Sequence, residues 1–288
     1  MVKDKRAAQQ FQSRLLDAGT TLFVLAAIYR QPLYFNPWNL STPQWIVGGI
    51  AIKLALTFYD HLVTFLLNSS GAKLLPTRTT GKPVRYVSLD TISKVYLTIN
   101  AFNEWLFVQR FCFFLWHSDL VDRDWSELSL LNTAGCLYVM FVVMDFIYAP
   151  IHHILHMPWC YPLIHKHHHR QHFPTRGYLD AGNEHPIEHM VGIVCTWGAA
   201  LAAAHTTGAH VLALFFFFNI HAALAMLNHS PYDVKWNILG LKYSVGTHEM
   251  HHRKFTVNYA QYTMWYDHIM KTFAPYEGPT SVVDKKVS

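Results

Sequence analysis

The pattern of apolar and polar residues along the chain predicts a bundle of membrane-spanning helices. A helix needs roughly 20 mostly apolar residues to cross the hydrocarbon core of a bilayer. Three stretches reach that length, namely Trp45 to Leu67, Val95 to Trp116 and Leu130 to Pro150. Leu15 to Tyr29 is a shorter and less apolar fourth candidate. The region from Met190 to Leu227 is apolar apart from a central HTTGAH segment, which predicts two helices that enter the membrane and return.

The composition supports this interpretation and excludes other classes of protein. Of the 288 residues, 51% are hydrophobic and only 14% are charged, which is too apolar for an ordinary soluble domain. The net charge of +5 is not gathered into the basic runs of a nucleic-acid-binding protein. The four cysteines lack the paired spacing of a disulfide framework or a zinc knuckle. We therefore expect an all-α, polytopic membrane protein with no nucleic-acid partner.

The distribution of Lys and Arg orients the predicted spans, because cytosolic loops are enriched in these residues. The loop after Trp45 to Leu67 is basic, whereas the loop after the next span has only Arg123. The basic residues of the first loop are Lys73, Arg78, Lys82, Arg85 and Lys94. The first loop is therefore expected to be cytosolic and the second lumenal. Alternation along the chain then places both termini and the histidine-rich segments in the cytosol, provided that Leu15 to Tyr29 crosses.

Histidines are concentrated in one part of the chain, with 17 of the 20 between His152 and His252. Three histidine motifs have helical spacing, at i, i+4 in the first motif and at i, i+3, i+4 in the second and third motifs. They are His152 and His156; His165, His168 and His169; and His248, His251 and His252. On an α-helix these offsets place side chains on one face, where two or three imidazoles can converge on one ion. Neutral imidazole is a good ligand for zinc, iron, copper and nickel.

Asp145 lies on the same predicted helix face as the first histidine motif, 7 residues before His152 and 11 before His156. A carboxylate inside a span is costly and normally has a partner. We expect Asp145 to accept a hydrogen bond from a ligand histidine, with a helix–helix hydrogen bond as the alternative. Two proline-containing turns, MPW and YPL, follow this helix. They are expected to end it and to begin a short helix that carries the second histidine motif.

The order of these motifs resembles the fatty acid hydroxylase / sterol desaturase superfamily, membrane oxygenases of the endoplasmic reticulum with a histidine-bound pair of irons. The resemblance covers about residues 140–273. It rests on the segments DFIYAPIHHILH, YPLIHKHHH, EHPIEHM, NHSPYD and THEMHHRKFTVNYAQY with the later DHIMKT. Three positions depart from the common pattern, because His153 stands where arginine is usual, Pro231 where glycine is common and Tyr266 where tryptophan is usual.

The resemblance implies nine metal ligands. They are His152, His156, His165, His168, His169, His229, His248, His251 and His252. It also implies a role as ligand or outer-shell partner for His185, Glu188 and His189. His153, His167, His172 and His221 are weaker candidates, because their offsets place them off the ligand face or beyond the groups.

The resemblance further implies the activity. We expect an enzyme that uses two iron ions, O2 and external electrons to hydroxylate or desaturate a sterol or fatty acyl substrate. Electrons would come from NAD(P)H through a separate b-type cytochrome and its reductase, since the chain contains HPIE but no haem-binding HPGG. The expected division is residues 1–139 for N-terminal membrane helices and loops, 140–273 for the catalytic region and 274–288 for a cytosolic tail. The expected architecture is a membrane helix bundle capped by a cytosolic, helical, histidine-rich metal site.

Two other functions compete with an oxygenase. His248, Glu249 and His252 spell HExxH, a helical zinc-protease signature in which the glutamate activates water. That interpretation leaves most of the other histidines unused. A non-enzymatic metal-binding or transport protein is the second alternative. The closing KKVS segment, with Lys285 and Lys286, resembles a dilysine signal for retrieval to the endoplasmic reticulum and predicts residence there.

Overall fold

Helices make up most of the protein, as the apolar pattern predicts. The computed structural model describes residues 2–30, 36–76 and 87–277, apart from the side chains of residues 2–6, and it is 66% helical. The helices are α1 Val2–Arg30, α2 Thr42–Ser69, α3 Thr91–His117, α4 Leu130–Leu155, α5 Tyr178–Ala181, α6 Pro186–Thr207, α7 Val211–Leu227, α8 Val245–Lys254 and α9 Trp265–Met270. The strands are β1 Val121–Asp122, β2 Ala209–His210, β3 Lys235–Ile238 and β4 Leu241–Ser244. Arg78, Lys82, Arg85, Lys285 and Lys286 lie outside the described residues.

Three of the described helices are long and apolar enough to cross a membrane, namely α2, α4 and α6. The apolar helix α7 has 17 residues, and with α6 it forms the pair that the sequence predicts between Met190 and Leu227. Helix α3 contains the predicted span from Val95 to Trp116 but is not among the three, because polar residues such as Asn100 and Glu104 lower its mean hydropathy. The predicted membrane helix bundle is confirmed.

Capping residues fix where the long helices begin. The Asp90 side chain accepts a hydrogen bond from the Ser93 N–H, and the Ser129 side chain accepts one from the Asn132 N–H. The apolar stretch of this span ends at Pro150, but the helix continues through the proline to Leu155, so His152 lies on it as the sequence predicts. Proline removes one backbone donor but does not prevent the next turn of helix where packing holds the chain, and here Ala149 is fully buried beside it. This extra turn keeps His152 on the helix.

The core lies where α4 packs against α6 and α7. Buried Met140 and Met144 of α4 belong to one hydrophobic cluster with small residues of α6 and with Phe217 of α7. The small residues are Ala199, Ala200, Ala203 and Ala204. Small side chains allow two helix backbones to approach closely, which stabilises helix packing where both helices are apolar.

Short strands mark the two ends of the bundle. The parallel pair β1–β2 joins the α3–α4 loop to the turn between α6 and α7. The antiparallel hairpin β3–β4 leads directly into α8, which carries the third histidine motif. Since α4 starts near the first pair and ends at His156, while α6 starts at Pro186 and ends at the first pair, the histidine-rich segments share the opposite end of the bundle.

Candidate metal centre

Four chain segments bring histidines to this end of the bundle: the end of α4, the segment that follows it, the residue after the α7 C-cap and helix α8. The prediction of a short α-helix that carries the second histidine motif is wrong. Residues 157–167 form turns, and only His168–Arg170 forms a 3-10 helix. Pro158 and Pro162 interrupt regular hydrogen bonding here, because each lacks a backbone N–H.

Five histidines form what we call the first group. Its members are His152, His156, His165, His169 and His251, and one ligand atom from each lies within 4.8 Å of the others. The Nε2 atom of His165 is 3.1 Å from that of His152 and 2.9 Å from that of His169. The Nε2 atom of His251 is 3.2 Å from that of His156. Five imidazole nitrogens therefore converge on one small volume.

Four further histidines form the second group. Its members are His168, His229, His248 and His252, again with one ligand atom each within 4.8 Å of the others. The Nε2 atom of His229 is 3.3 Å from those of His168 and His248. The groups adjoin, since the rings of His169 and His252 lie 4.4 Å apart between centroids. Together the two groups contain all nine predicted ligands, whose metal binding stays a prediction.

Each of the second and third histidine motifs is divided between the groups. His165 and His169 join the first group, whereas His168 between them joins the second. In α8, His251 joins the first group, and His248 and His252 join the second. The i, i+4 neighbours therefore share a group and the residue between them turns to the other, so these motifs hold two adjacent sites together.

The hydrogen bonds of the Nδ1 atoms fix the tautomer of several of these imidazoles. The Nδ1 atom of His152 is 2.8 Å from the Tyr259 carbonyl oxygen, and that of His251 is 2.7 Å from the Val257 carbonyl oxygen. In the second group, Nδ1 of His229 is 3.0 Å from the Ala225 carbonyl oxygen. A carbonyl can only accept, so Nδ1 carries the proton and Nε2 presents a lone pair to its neighbours. Where two such lone pairs face each other at about 3 Å, a proton or a metal ion between them removes the repulsion.

Burial keeps these imidazoles neutral. Removal from water lowers the pKa of His165, His168 and His169 well below its ordinary value, and the neighbouring histidines lower it further. The same two causes lower the pKa of His248 and His252. Eight of the nine side chains are buried, and His156 is half-buried. A neutral, buried set of nitrogen donors is the form that a divalent transition metal requires.

Glu188 contacts the first group directly. Its Oε1 atom lies 2.5 Å from Nδ1 of His165, and both side chains are buried. A carboxylate at this position orients the ring and makes Nε2 a stronger donor. Glu188 also lies within 4.8 Å of Glu184 and His168. The role of Glu188 as a ligand or an outer-shell partner stays a prediction, and its carboxylate lies beside a member of the first group.

Asp145 is placed differently from the expectation. Its fully buried carboxylate accepts hydrogen bonds from the backbone of Gln261 at 2.6 Å and of Thr263 at 2.9 Å, rather than from a ligand histidine. Asp267 does the same for the backbone of Tyr259 at 2.9 Å and Ala260 at 2.8 Å. The two carboxylates hold the loop whose carbonyl oxygens orient the first group. Sequence patterns do not reveal this role of Asp145, because the loop that it holds lies more than 110 residues further along the chain.

His185 and His189 lie outside both groups. His185 caps α6 by accepting the Ile187 N–H at 3.2 Å. His189 lies between two carboxylates, 2.8 Å from Glu184 and 3.2 Å from Glu104. These contacts account for both histidines without a metal. Spacing alone does not reveal Glu104 and Glu184 as the partners of His189.

The four weaker candidates also lie outside the groups. His153 contacts the Tyr266 hydroxyl at 3.0 Å, and His167 contacts Asn183 at 2.9 Å. His221 contacts the Tyr262 hydroxyl at 2.7 Å, and the ring of His172 lies 5.3 Å from that of Phe255 between centroids.

The HExxH glutamate has a different partner from the one a protease needs. Its carboxylate lies 2.8 Å from Nε of Arg253, one turn further along α8. Glu249 is absent from the groups of convergent donors among the described residues. The Glu249 carboxylate is therefore paired with an arginine and is not among the donors that converge with the imidazoles in the described part of the chain.

Comparison with known proteins places these residues in a family context. Residues 137–272 match the family model described as fatty acid hydroxylase. The chain is 28% identical to methylsterol monooxygenase 1 of Rattus norvegicus over 57% of this chain and 56% of that protein. It is 28% identical to methylsterol monooxygenase erg25B of Aspergillus fumigatus over 46% of each chain.

A third relative is very-long-chain aldehyde decarbonylase GL1-11 of Oryza sativa subsp. indica, which is 29% identical over 50% of this chain and 54% of that protein. The chain spans about half the length of the curated relatives it matches. No solved structure is significantly similar to it.

Proposed function

We propose, from the premise that residues 137–272 belong to the fatty acid hydroxylase / sterol desaturase superfamily, that the protein is a membrane oxygenase. It would hold two iron ions and use O2 and external electrons to hydroxylate or desaturate a lipid. The observation that carries the proposal is the convergence of nine imidazole donors in two adjoining groups. One tetrahedral zinc needs at most four ligands, so nine donors favour two ions.

The two groups would each hold one ion. Two redox-active irons would supply the chemistry that O2 needs to attack an unactivated C–H bond. The protein's own contribution is to fix the donors: the Tyr259 and Val257 carbonyl oxygens orient two rings, and Glu188 orients a third. Burial excludes bulk water from the donors and keeps them neutral.

The substrate and partners follow from the same premise. The names of the relatives, methylsterol monooxygenase and very-long-chain aldehyde decarbonylase, support a lipid or sterol substrate. We place the enzyme in the endoplasmic reticulum membrane with its histidine-rich end and both termini in the cytosol. A separate b-type cytochrome and its NAD(P)H-dependent reductase would then reach the centre from the cytosolic side.

Anaerobic and aerobic turnover of the purified protein test the proposal. We expect iron-loaded protein in detergent, with reductant and an electron carrier, to consume O2 and to oxidise a lipid from a membrane extract. The His251→Ala variant should be inactive, whereas His153→Ala should retain activity, because only the first belongs to a histidine group. Turnover without O2, or release of a peptide product with zinc, would contradict the proposal.

A further inference from the structure

An apolar cavity of about 820 Å³ lies beside the histidine-rich end of the bundle. It lies between α1, α4 and α6, with one residue contributed by α3. Its volume falls within the roughly 300–1,000 Å³ of small-molecule sites in proteins. Its walls include Leu16 and Phe23 of α1, Ile147 and Ile151 of α4, and Met190 of α6. Two of its helices, α4 and α6, are long and apolar enough to span a membrane.

Two residues of the cavity wall directly precede residues of the candidate metal centre along the chain. Ile151 of α4 directly precedes His152, a member of the first group. Ile187 of α6 directly precedes Glu188, whose carboxylate contacts His165. A molecule in the cavity therefore lies next to the elements that hold the first group.

The chemistry of the lining restricts what the cavity can bind. None of its described lining residues is Lys, Arg, His, Asp or Glu. The polar lining residues are the uncharged Gln12, Thr20 and Asn103. A carboxylate or phosphate inside would lose its water without gaining a cation, which is strongly unfavourable. A hydroxyl or carbonyl group, by contrast, can be satisfied by one amide or hydroxyl.

We propose that this cavity binds the apolar body of an uncharged lipid, one whose polar group is a hydroxyl or a carbonyl. As the substrate pocket of the centre, the cavity rests on the proposed function. The assignment excludes free fatty acid anions and phospholipids as ligands, and it places the lipid between α1 and the two candidate spans.

Competition binding in nanodiscs tests the charge rule without any turnover. Full-length protein is saturated with tritiated oleyl alcohol, which is displaced with unlabelled oleyl alcohol, cholesterol or oleate at pH 8. Oleyl alcohol and oleate share one chain and differ in charge. We expect oleyl alcohol to bind at least about tenfold more tightly than oleate. Equal or tighter binding of oleate would overturn the proposal.

Cholesterol, an uncharged alcohol with a rigid ring system, extends the same test. Displacement by cholesterol at concentrations that leave oleate ineffective supports the proposal. Displacement by oleate but not by cholesterol would count against it.

A pair of matched substitutions locates the binding. Val194 lines the cavity and Val47 of α2 does not, and both side chains are 63% exposed. Val194→Trp should fill part of the cavity and weaken oleyl alcohol binding about tenfold or more, with metal content unchanged. Val47→Trp should bind like the unmodified protein. Equal effects of the two substitutions, or none from Val194→Trp, would overturn the location.

A histidine variant separates this inference from the proposed function. His248→Ala should lose metal while retaining oleyl alcohol binding, because His248 is not a lining residue. Lack of O2-dependent turnover in a protein that binds lipid in this pattern would count against the proposed function. Normal turnover by Val194→Trp would count against the cavity.

Discussion

The two histidine groups differ in what holds their rings in place. In the first group, His152 and His251 donate to the Tyr259 and Val257 carbonyl oxygens, which belong to one loop after α8. In the second group, His229 lies 3.0 Å from the Ala225 carbonyl oxygen of its own preceding helix. The His252 ring, also of the second group, lies 3.2 Å from the Gln171 carbonyl oxygen. The first group therefore depends on a loop that must itself be fixed, whereas the second uses one carbonyl of its own helix and one of the segment before α5.

The loop after α8 is fixed by carboxylates that do not reach the histidines. Asp145 and Asp267 are fully buried and accept backbone N–H groups along residues 259–263. The Thr263 hydroxyl adds a further bond to Asp145 at 2.5 Å. Buried carboxylates are stabilised only when their lone pairs are satisfied, and here backbone donors satisfy them. The comparison shows that the first group is supported indirectly, by carboxylates that hold its loop, whereas His229 and His252 of the second are held directly by the Ala225 and Gln171 carbonyl oxygens.

Removal of a ligand should have the largest effect and should act on one group at a time. His165→Ala and His169→Ala remove first-group donors, and His248→Ala and His252→Ala remove second-group donors. Each should abolish activity and reduce metal content from about two ions per chain towards one. Elemental analysis of purified protein measures this. A stoichiometry of one ion in the unmodified protein would show that the two groups are not separate sites.

Loosening the loop should weaken the first group selectively. In Asp267→Asn the side-chain amide would face the Tyr259 or Ala260 N–H, so one donor loses its acceptor. We expect the affinity of the first group for metal to fall roughly 10–100-fold, with the second group unchanged. Competition with a chelator measures both sites. Asp233→Asn, at a salt bridge with the exposed Lys235, is the matched control, and equal losses in both groups would contradict the comparison.

Acid should destabilise the metal-free protein. Burial lowers the pKa of His165, His168 and His169 in the folded state, so the unfolded chain binds protons at these positions that the folded chain does not. Stability should therefore decrease as pH falls below the ordinary histidine pKa of about 6.5, by up to roughly 1.4 kcal/mol per histidine and pH unit.

Thermal unfolding of the metal-free protein in detergent between pH 7.5 and 5 measures this slope. His169→Gln and His248→Gln should each reduce it, which compares one member of each group. A slope unchanged by either substitution would show that neither imidazole is kept neutral by the fold.

Histidines outside both groups should have the smallest effect. His153→Ala removes a contact with the Tyr266 hydroxyl, and His167→Ala removes one with Asn183. We expect both variants to retain both metal ions and to lose about 1 kcal/mol of stability each. Metal content and denaturant unfolding check this together. Loss of an ion from either variant would mean that the groups extend beyond the nine histidines.

The sequence by itself determined the helices and the set of converging histidines. Apolar length located α2, α3, α4, α6 and α7, because the hydrocarbon core requires it. Helical spacing separated His153 from the group histidines, because side-chain direction repeats every 3.6 residues along α4. The same spacing set His167 apart, although His167 lies in turns and not in a helix. The sequence also placed Asp145 and His152 on one helix through Pro150, but only packing decides whether a helix continues past a proline.

Tertiary structure alone decided how the histidines are shared and what supports them. His168 and His229 are neighbours across 61 residues, and Asp145 holds a loop more than 110 residues away. Glu249 meets Arg253 on its own helix, yet whether that helix turns its HExxH motif towards other histidines depends on long-range contacts such as that between His251 and His156. Local periodicity records which face a residue occupies, but not which face of another element it meets, because that depends on contacts between distant parts of the chain.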